Sequence, residues 1–143
     1  MISTNTIERT TVIAADREKI WRALTNPEHF SKWFGADIRW ERLEVGALIT
    51  FDMGSQSGTG KIAAVDKPHR FAFYWTPEAG DPTQTLVTFH LEIVEEGTRV
   101  TVTDEGYDAL PEKVRRARVE MNTEGWTEQL ANIANFVLKT ANV

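Results

Sequence analysis

Between Phe71 and Tyr107 the side chains change character at every second residue. Phe71, Phe73 and Trp75 take one face of a first segment, and Val87, Phe89, Leu91 and Ile93 take one face of the next. Thr88, His90 and Glu92 fall on the opposite face, and Val100 and Val102 resume the apolar pattern beyond a glycine turn. Alternation at period two predicts strands with one buried face, and short turns between them predict an antiparallel meander. Such a sheet needs a cover for its apolar side. From Glu112 to the end the chain reads as one long helix, with Trp126, Leu130, Ile133 and Val137 on a single stripe. The fold class that follows is α+β, a curved antiparallel sheet of six or seven strands wrapped around a long C-terminal helix.

The rest of the chain fits around that core. Thr6 to Ile13 reads as a first strand. "AADREKIWRALTNP" reads as a helix with Asp16 as N-cap. Asn26-Pro27 ends that helix and starts a second, short one that Gly35 closes. "ADIRWERLE" and "ALITFDM" read as strands, the latter placing Ile49, Phe51 and Met53 together. If the long helix keeps its register toward its start, Arg115, Val119 and Asn122 share the covering stripe, with Arg118 and Gln129 at its edge. Gly125 would let Trp126 approach the sheet closely. The apolar half of the helix covers one end of the sheet, and its polar half leaves aromatic side chains for a cavity at the other. The expected size is about 300–1,000 Å³, the usual range for ligand sites.

Composition narrows the function classes. A length of 143 residues suits one domain, residues 1–143. The formal charge of −5 argues against a nucleic-acid partner. With no cysteine there is no disulfide or thiolate metal site, which fits a cytoplasmic location. No apolar run is long enough for a membrane span, and "MISTNTIERTT" has no signal-peptide pattern.

The order of elements resembles the helix-grip fold of the START-like superfamily, also called SRPBCC or birch-pollen-allergen-like. "IWRALTNPEHFSKWFG" looks like the opening motif of the branch named after the heat-shock-protein-90 ATPase activator. "FAFYWT", "LVTFHLE", "GTRVTVTDEGY" and "EGWTEQLANIANFV" look like its later motifs, in the right order. The resemblance runs from about Ile7 to Val137. It implies a protein that binds a small molecule in an internal cavity, and the same fold also hosts cyclases and other enzymes. The strand before "GY" in this branch often carries a histidine and a small residue. Asp104 and Glu105 stand there in this chain, so chemistry attached to that histidine is not carried over.

Other motifs carry less. "GSQSGTGK" has five residues, not four, between Gly54 and Gly60, and Ile62 stands where a phosphate loop needs Ser or Thr. A flexible hairpin beside the cavity mouth is the better reading. His29, His69 and His90 have no ligand spacing and read as surface residues, so neither a metal nor another cofactor is expected. "EKVRRAR" reads as a solvated helix face, with inward turning of Arg115 or Arg118 as the sharper alternative.

Trp33, Phe34, Trp40, Trp75 and Tyr107 lie near element ends and are expected to reach the cavity mouth. Phe51, Met53, Asp104, Arg118 and Asn122 complete the expected lining. Asp104 shares a strand face with Val100 and Val102. It either reaches water where the strand ends, or lines the cavity as a desolvated acid, or pairs with Arg115 or Arg118.

The expected role is to bind an aromatic, polyketide-like or lipid-like molecule. An enzyme of the cyclase, dehydratase or hydrolase type is the rival, although no catalytic motif is recognisable; Asp104, Arg118 or Tyr107 would be its acid–base or orienting groups. A protein-interaction module is the third reading, and the oligomeric state is left open. Contact with the chaperone is not expected, because stimulation in the eukaryotic activator depends largely on an additional N-terminal domain for which 143 residues leave no room. Titration of this protein into a steady-state assay of the chaperone's ATPase should therefore leave the rate unchanged, and a several-fold rise at micromolar concentration would contradict this.

Overall fold

A computed structural model describes residues 5–76 and 84–140 of the chain; Met1 to Thr4 of the N-terminal stretch lie outside them. The elements in order are β1 (Thr6–Ile13), α1 (Arg17–Thr25), α2 (Pro27–Phe34), β2 (Asp37–Arg39), β3 (Leu48–Asp52), β4 (Ser57–Asp66), β5 (Arg70–Thr76), β6 (Thr85–Val94), β7 (Gly97–Glu105) and α3 (Glu112–Lys139). A single 3₁₀ turn, Tyr107–Ala109, leads into α3. The strands form one antiparallel sheet in the order β1-β7-β6-β5-β4-β3-β2. Hairpins carry the chain from β2 to β7, and β1 returns to pair with the last strand, Thr6 opposite Glu105 and Ile13 opposite Thr98. This is the α+β helix-grip arrangement.

Side-chain pattern and packing agree along most of the sheet. Ile49, Phe51, Phe71, Phe73, Val87 and Phe89 are all buried. Trp126, Leu130, Ile133 and Val137 are the buried residues of α3, and the Trp126 ring meets Phe89 edge-on at 5.8 Å. Asn26 ends α1 and caps α2, its side chain accepting from the N–H groups of Glu28 and His29 at 2.9 and 3.2 Å. Gly35 closes α2 at φ 84°, a conformation that favours glycine. Asp16 occupies the N-cap position of α1, but its side chain makes no capping bond.

Four local readings need correction. The strand expected over "ADIRWERLE" is three residues long, and the chain leaves the sheet at Trp40. β4 begins at Ser57, inside "GSQSGTGK", so the turn is only Gly54 to Gln56. Ile93 is 65% exposed although its face is apolar. Its cross-strand neighbour Thr98 is buried instead, its hydroxyl donating to the Ala15 carbonyl of the loop after β1 at 2.8 Å. His29 is half-buried rather than free on the surface: its ring lies 5.6 Å from that of Phe136, and its Nδ1 is buried with no partner among the described residues.

β2 is an edge strand, and edge strands leave backbone groups open to further pairing. Here α2 supplies the partner. The Ser31 hydroxyl accepts from the Ile38 N–H at 2.9 Å. It shares its proton between the carbonyls of Pro27, at 2.7 Å, and Ile38, at 3.1 Å. The edge is closed by one side chain, and α2 is fixed against the sheet. Ser31→Ala should cost about 1–3 kcal/mol, the range for orphaning a buried backbone donor. Urea unfolding would measure it, and the Ile38 amide should exchange with solvent faster while the amides of β6 do not.

Candidate functional site

The end of β7 places one carboxyl in the apolar interior. Val100, Val102 and Asp104 share the buried face, and Asp104 has 0% solvent exposure. It does not reach water, and no arginine lies within salt-bridge distance of it among the described residues. Its Oδ2 accepts from the Tyr107 hydroxyl at 2.5 Å and from the Trp126 indole N–H at 2.9 Å. Asn122 on α3 donates from Nδ2 to the Tyr107 oxygen at 2.8 Å. One carboxyl thus ties together β7, the 3₁₀ turn and α3.

The electrostatics follow from burial. Desolvation raises the Asp104 pKa above its ordinary value, and the charge of Glu105 adds to this. Hydrogen bonds from Thr85, Tyr107 and Trp126 hold it down in part. The Thr85 hydroxyl is near enough for that, yet neither its Oγ1 nor Asp104 Oδ1 completes a bond of good geometry. Two buried oxygens side by side need a proton between them, and the Thr85 hydroxyl carries one that it can give to Oδ1. Burial and the neighbouring carboxyl also push the Tyr107 phenol far up, so it serves as a hydroxyl and never as a phenolate.

Above this network lies a small crevice of about 130 Å³ between α3, the end of β5 and the end of α2. Phe34, Trp75 and Trp126 give it aromatic walls, and Asn122, Glu128 and Gln129 supply its polar groups. Gly125 forms part of the lining. A Cβ built there would meet nothing within 4 Å, so this glycine does not serve close packing against the sheet, as its position suggested.

Among the described residues, the space between the sheet and the N-terminal half of α3 is this crevice rather than the expected cavity of about 300–1,000 Å³. Phe51, Phe73 and Phe89 are fully buried and stack into one another at 6.0 to 6.4 Å, filling the interior. The ten expected lining residues divide accordingly. Phe34, Trp75 and Asn122 meet at the crevice, with Asp104 and Tyr107 buried behind Asn122. Arg118 is half-buried and near enough to Tyr107 to act on it through its charge. Trp33 is buried, its indole N–H donating to the Ala23 carbonyl at 2.8 Å. Phe51 lies beneath Phe34 and Trp75, and Met53 is half-buried just past β3.

Trp40 faces a different concavity, an open groove of about 1020 Å³ between α2, β2 and the loop to β3. Its cations are each matched by a neighbour: Lys32 with Glu28 at 4.0 Å, Arg39 with Asp37 at 2.8 Å and Arg42 with Glu44 at 3.7 Å. Exposed pairs of this kind contribute little and advertise no ligand charge. Thr85 and Glu128 are site residues that the strand and helix patterns did not single out, and Gly125 was singled out only for packing. Gly125 carried a signal, since a glycine inside a helix costs stability without a packing reason.

Among the described residues no helix is long and apolar enough to cross a membrane, and no group of three or more His, Asp or Glu could hold a metal ion. Residues 14–137 match the family described as activator of Hsp90 ATPase homolog 1-like protein. No curated protein matches the chain. Among solved structures, a Mesorhizobium loti protein is similar at TM-score 0.83 and 21% identity, over 94% of this chain and 98% of that one. A protein in the dynemicin biosynthetic locus is similar at TM-score 0.81 and 20% identity, over 94% of this chain and 48% of that one. A Nitrosomonas europaea protein is similar at TM-score 0.77 and 17% identity, over 97% of each chain. At these identities the likeness is one of fold.

Asp104 provides a direct test of the network. A carboxyl whose folded pKa is raised binds its proton more tightly in the native state than in the unfolded one. Stability then falls as pH rises from the unfolded value toward the folded one, and the penalty is complete above the folded pKa. Asp104→Asn keeps an oxygen acceptor for Tyr107 and Trp126 and offers an N–H to Thr85. The variant should be more stable than wild type at pH 8 by about 1–3 kcal/mol, the range for a buried group left badly satisfied. The gap should close near pH 4, as thermal melts from pH 4 to 8 would show.

Proposed function

Because the chain belongs to the activator of Hsp90 ATPase homolog 1-like family, with the helix-grip fold, we propose that it binds a hydrophobic small molecule through the crevice beside α3. The observation that carries this reading is Gly125. A glycine in a helix interior costs roughly 0.5–1 kcal/mol relative to alanine. At this position no neighbour needs the missing Cβ, and the space left open is bounded by three aromatic rings. Stability is given up to keep an apolar gap unfilled, which is the signature of a gap meant for something else.

The size of the crevice limits what enters it. A void of about 150 Å³ admits benzene, and 130 Å³ is of that order. One ring of the ligand is held against Phe34, Trp75 and Trp126, and the remainder projects outward past Glu128 and Gln129. Binding and orientation are what these walls supply. The Asp104–Tyr107 pair lies behind Asn122 and acts on a bound molecule through that side chain, so a purely binding role suits the arrangement better than acid–base catalysis.

Two variants at one residue test the proposal. Gly125→Ala should raise stability by about 0.5–1 kcal/mol through helix propensity. Gly125→Leu should fill the gap and abolish binding of fluorobenzene, read by ¹⁹F NMR, while the protein stays folded. Equal binding of the probe by wild type and Gly125→Leu would place the ligand elsewhere and overturn the reading.

A further inference from the structure

The hydrogen-bond chain behind the crevice decides which ligand polarity the site accepts, on the premise that the crevice is the ligand site. The Trp126 indole N–H can only donate, and it donates to Asp104 Oδ2. That oxygen therefore acts as an acceptor, and the Tyr107 hydroxyl beside it spends its single proton on the same atom. The Tyr107 oxygen is left to accept. The atom of Asn122 in contact with it at 2.8 Å is accordingly the amide nitrogen. Both N–H groups of that amide sit on the nitrogen committed to Tyr107, and the carbonyl oxygen is the atom turned away from it. No described residue donates to that oxygen, and Asn122 lines the crevice.

The other polar groups there complete the pattern. Gln129 donates from Nε2 to the Phe34 carbonyl at 3.3 Å and accepts from Asn132 at 3.1 Å, so both ends of its amide are engaged. Glu128 adds an exposed carboxylate. Trp75 lines the crevice with a neutral aromatic ring. A fixed acceptor, aromatic walls and a negative rim suit an aromatic group that gives a hydrogen bond and carries no negative charge. We infer that the crevice selects a neutral aromatic hydroxyl compound, a phenol, whose O–H donates to Asn122 Oδ1, and that it rejects aromatic and fatty carboxylates.

The test uses three single-ring probes of similar size on the full chain: fluorobenzene, 4-fluorophenol and 4-fluorobenzoate, titrated by ¹⁹F NMR at pH 7.5. The expected order is 4-fluorophenol tightest, fluorobenzene next and 4-fluorobenzoate weakest, with the phenol at least about tenfold tighter than the benzoate. Asn122→Leu and Asn122→Ala should each erase the advantage of the phenol over fluorobenzene, and retained binding of fluorobenzene shows that the crevice is intact in the variant. Benzoate binding as tight as phenol binding, or a phenol advantage that survives both variants, would overturn the inference and leave the crevice as the ligand site. If none of the three probes binds wild-type protein, the crevice reading falls as well.

Discussion

A carboxyl sealed from water must be satisfied by the protein around it, and the satisfaction of Asp104 holds the open end of this fold together. The residue stands where β7 ends and the chain turns toward α3. Its two bonded partners come from the turn that follows it and from the middle of the long helix. Trp126 thereby acts twice. Its ring packs on Phe89 and Trp75, and its N–H fixes the rotation of α3 about its own axis relative to β7. Apolar packing alone is non-directional and tolerates small rotations; a hydrogen bond from an indole to one particular oxygen does not.

That rotation sets what the rest of the helix can do. With Trp126 seated, Leu130, Ile133 and Val137 fall on the sheet and its flanking helices, and Asn122, one turn earlier, reaches Tyr107. Gly125 then lines the crevice beside Phe34 and Trp75, where a Cβ would meet nothing within 4 Å. The buried network and the surface crevice are two consequences of one helix phase. At the other end of the sheet Ser31 performs a comparable service with neutral groups, closing the edge of β2 and fixing α2, whose last residue, Phe34, forms the crevice wall.

Period-two and period-3.6 patterns made most of this architecture legible. β1, the Asn26-Pro27 junction, the Gly35 stop and the buried stripe of α3 all lie where local chemistry puts them, because each depends on neighbours within a few residues. The misreadings share a cause. The length of β2, the exposure of Ile93 and the partial burial of His29 depend on what lies opposite in space. The largest gap was in the cavity. Counting aromatic residues on the inner face showed that much apolar area needed cover; it could not show that Phe51, Phe73 and Phe89 would cover one another. Asp104 stood out from the sequence as an acid on an apolar face, but the partners that bury it lie 3 and 22 residues further on.

The small size of the crevice follows from the rings that line it. In a sheet lined by large rings, interior volume is set by how those rings tilt, and rings in contact at 5.5 to 6.4 Å leave room for a guest beside them, in the crevice, and not between them. A guest that needs more than one ring's worth of room would have to displace Phe34 or Trp75, the two half-buried members of that set. Both sit at the ends of their elements, where a side chain can swing outward without breaking a backbone hydrogen bond. Trp33 and Trp126 cannot do so, since each indole N–H is bonded to a buried acceptor. The division between adjustable and fixed rings follows from the hydrogen bonds rather than from the apolar contacts. It sets Asn122 and its anchored amide as the fixed end of the site, and Phe34 and Trp75 as the end that adapts.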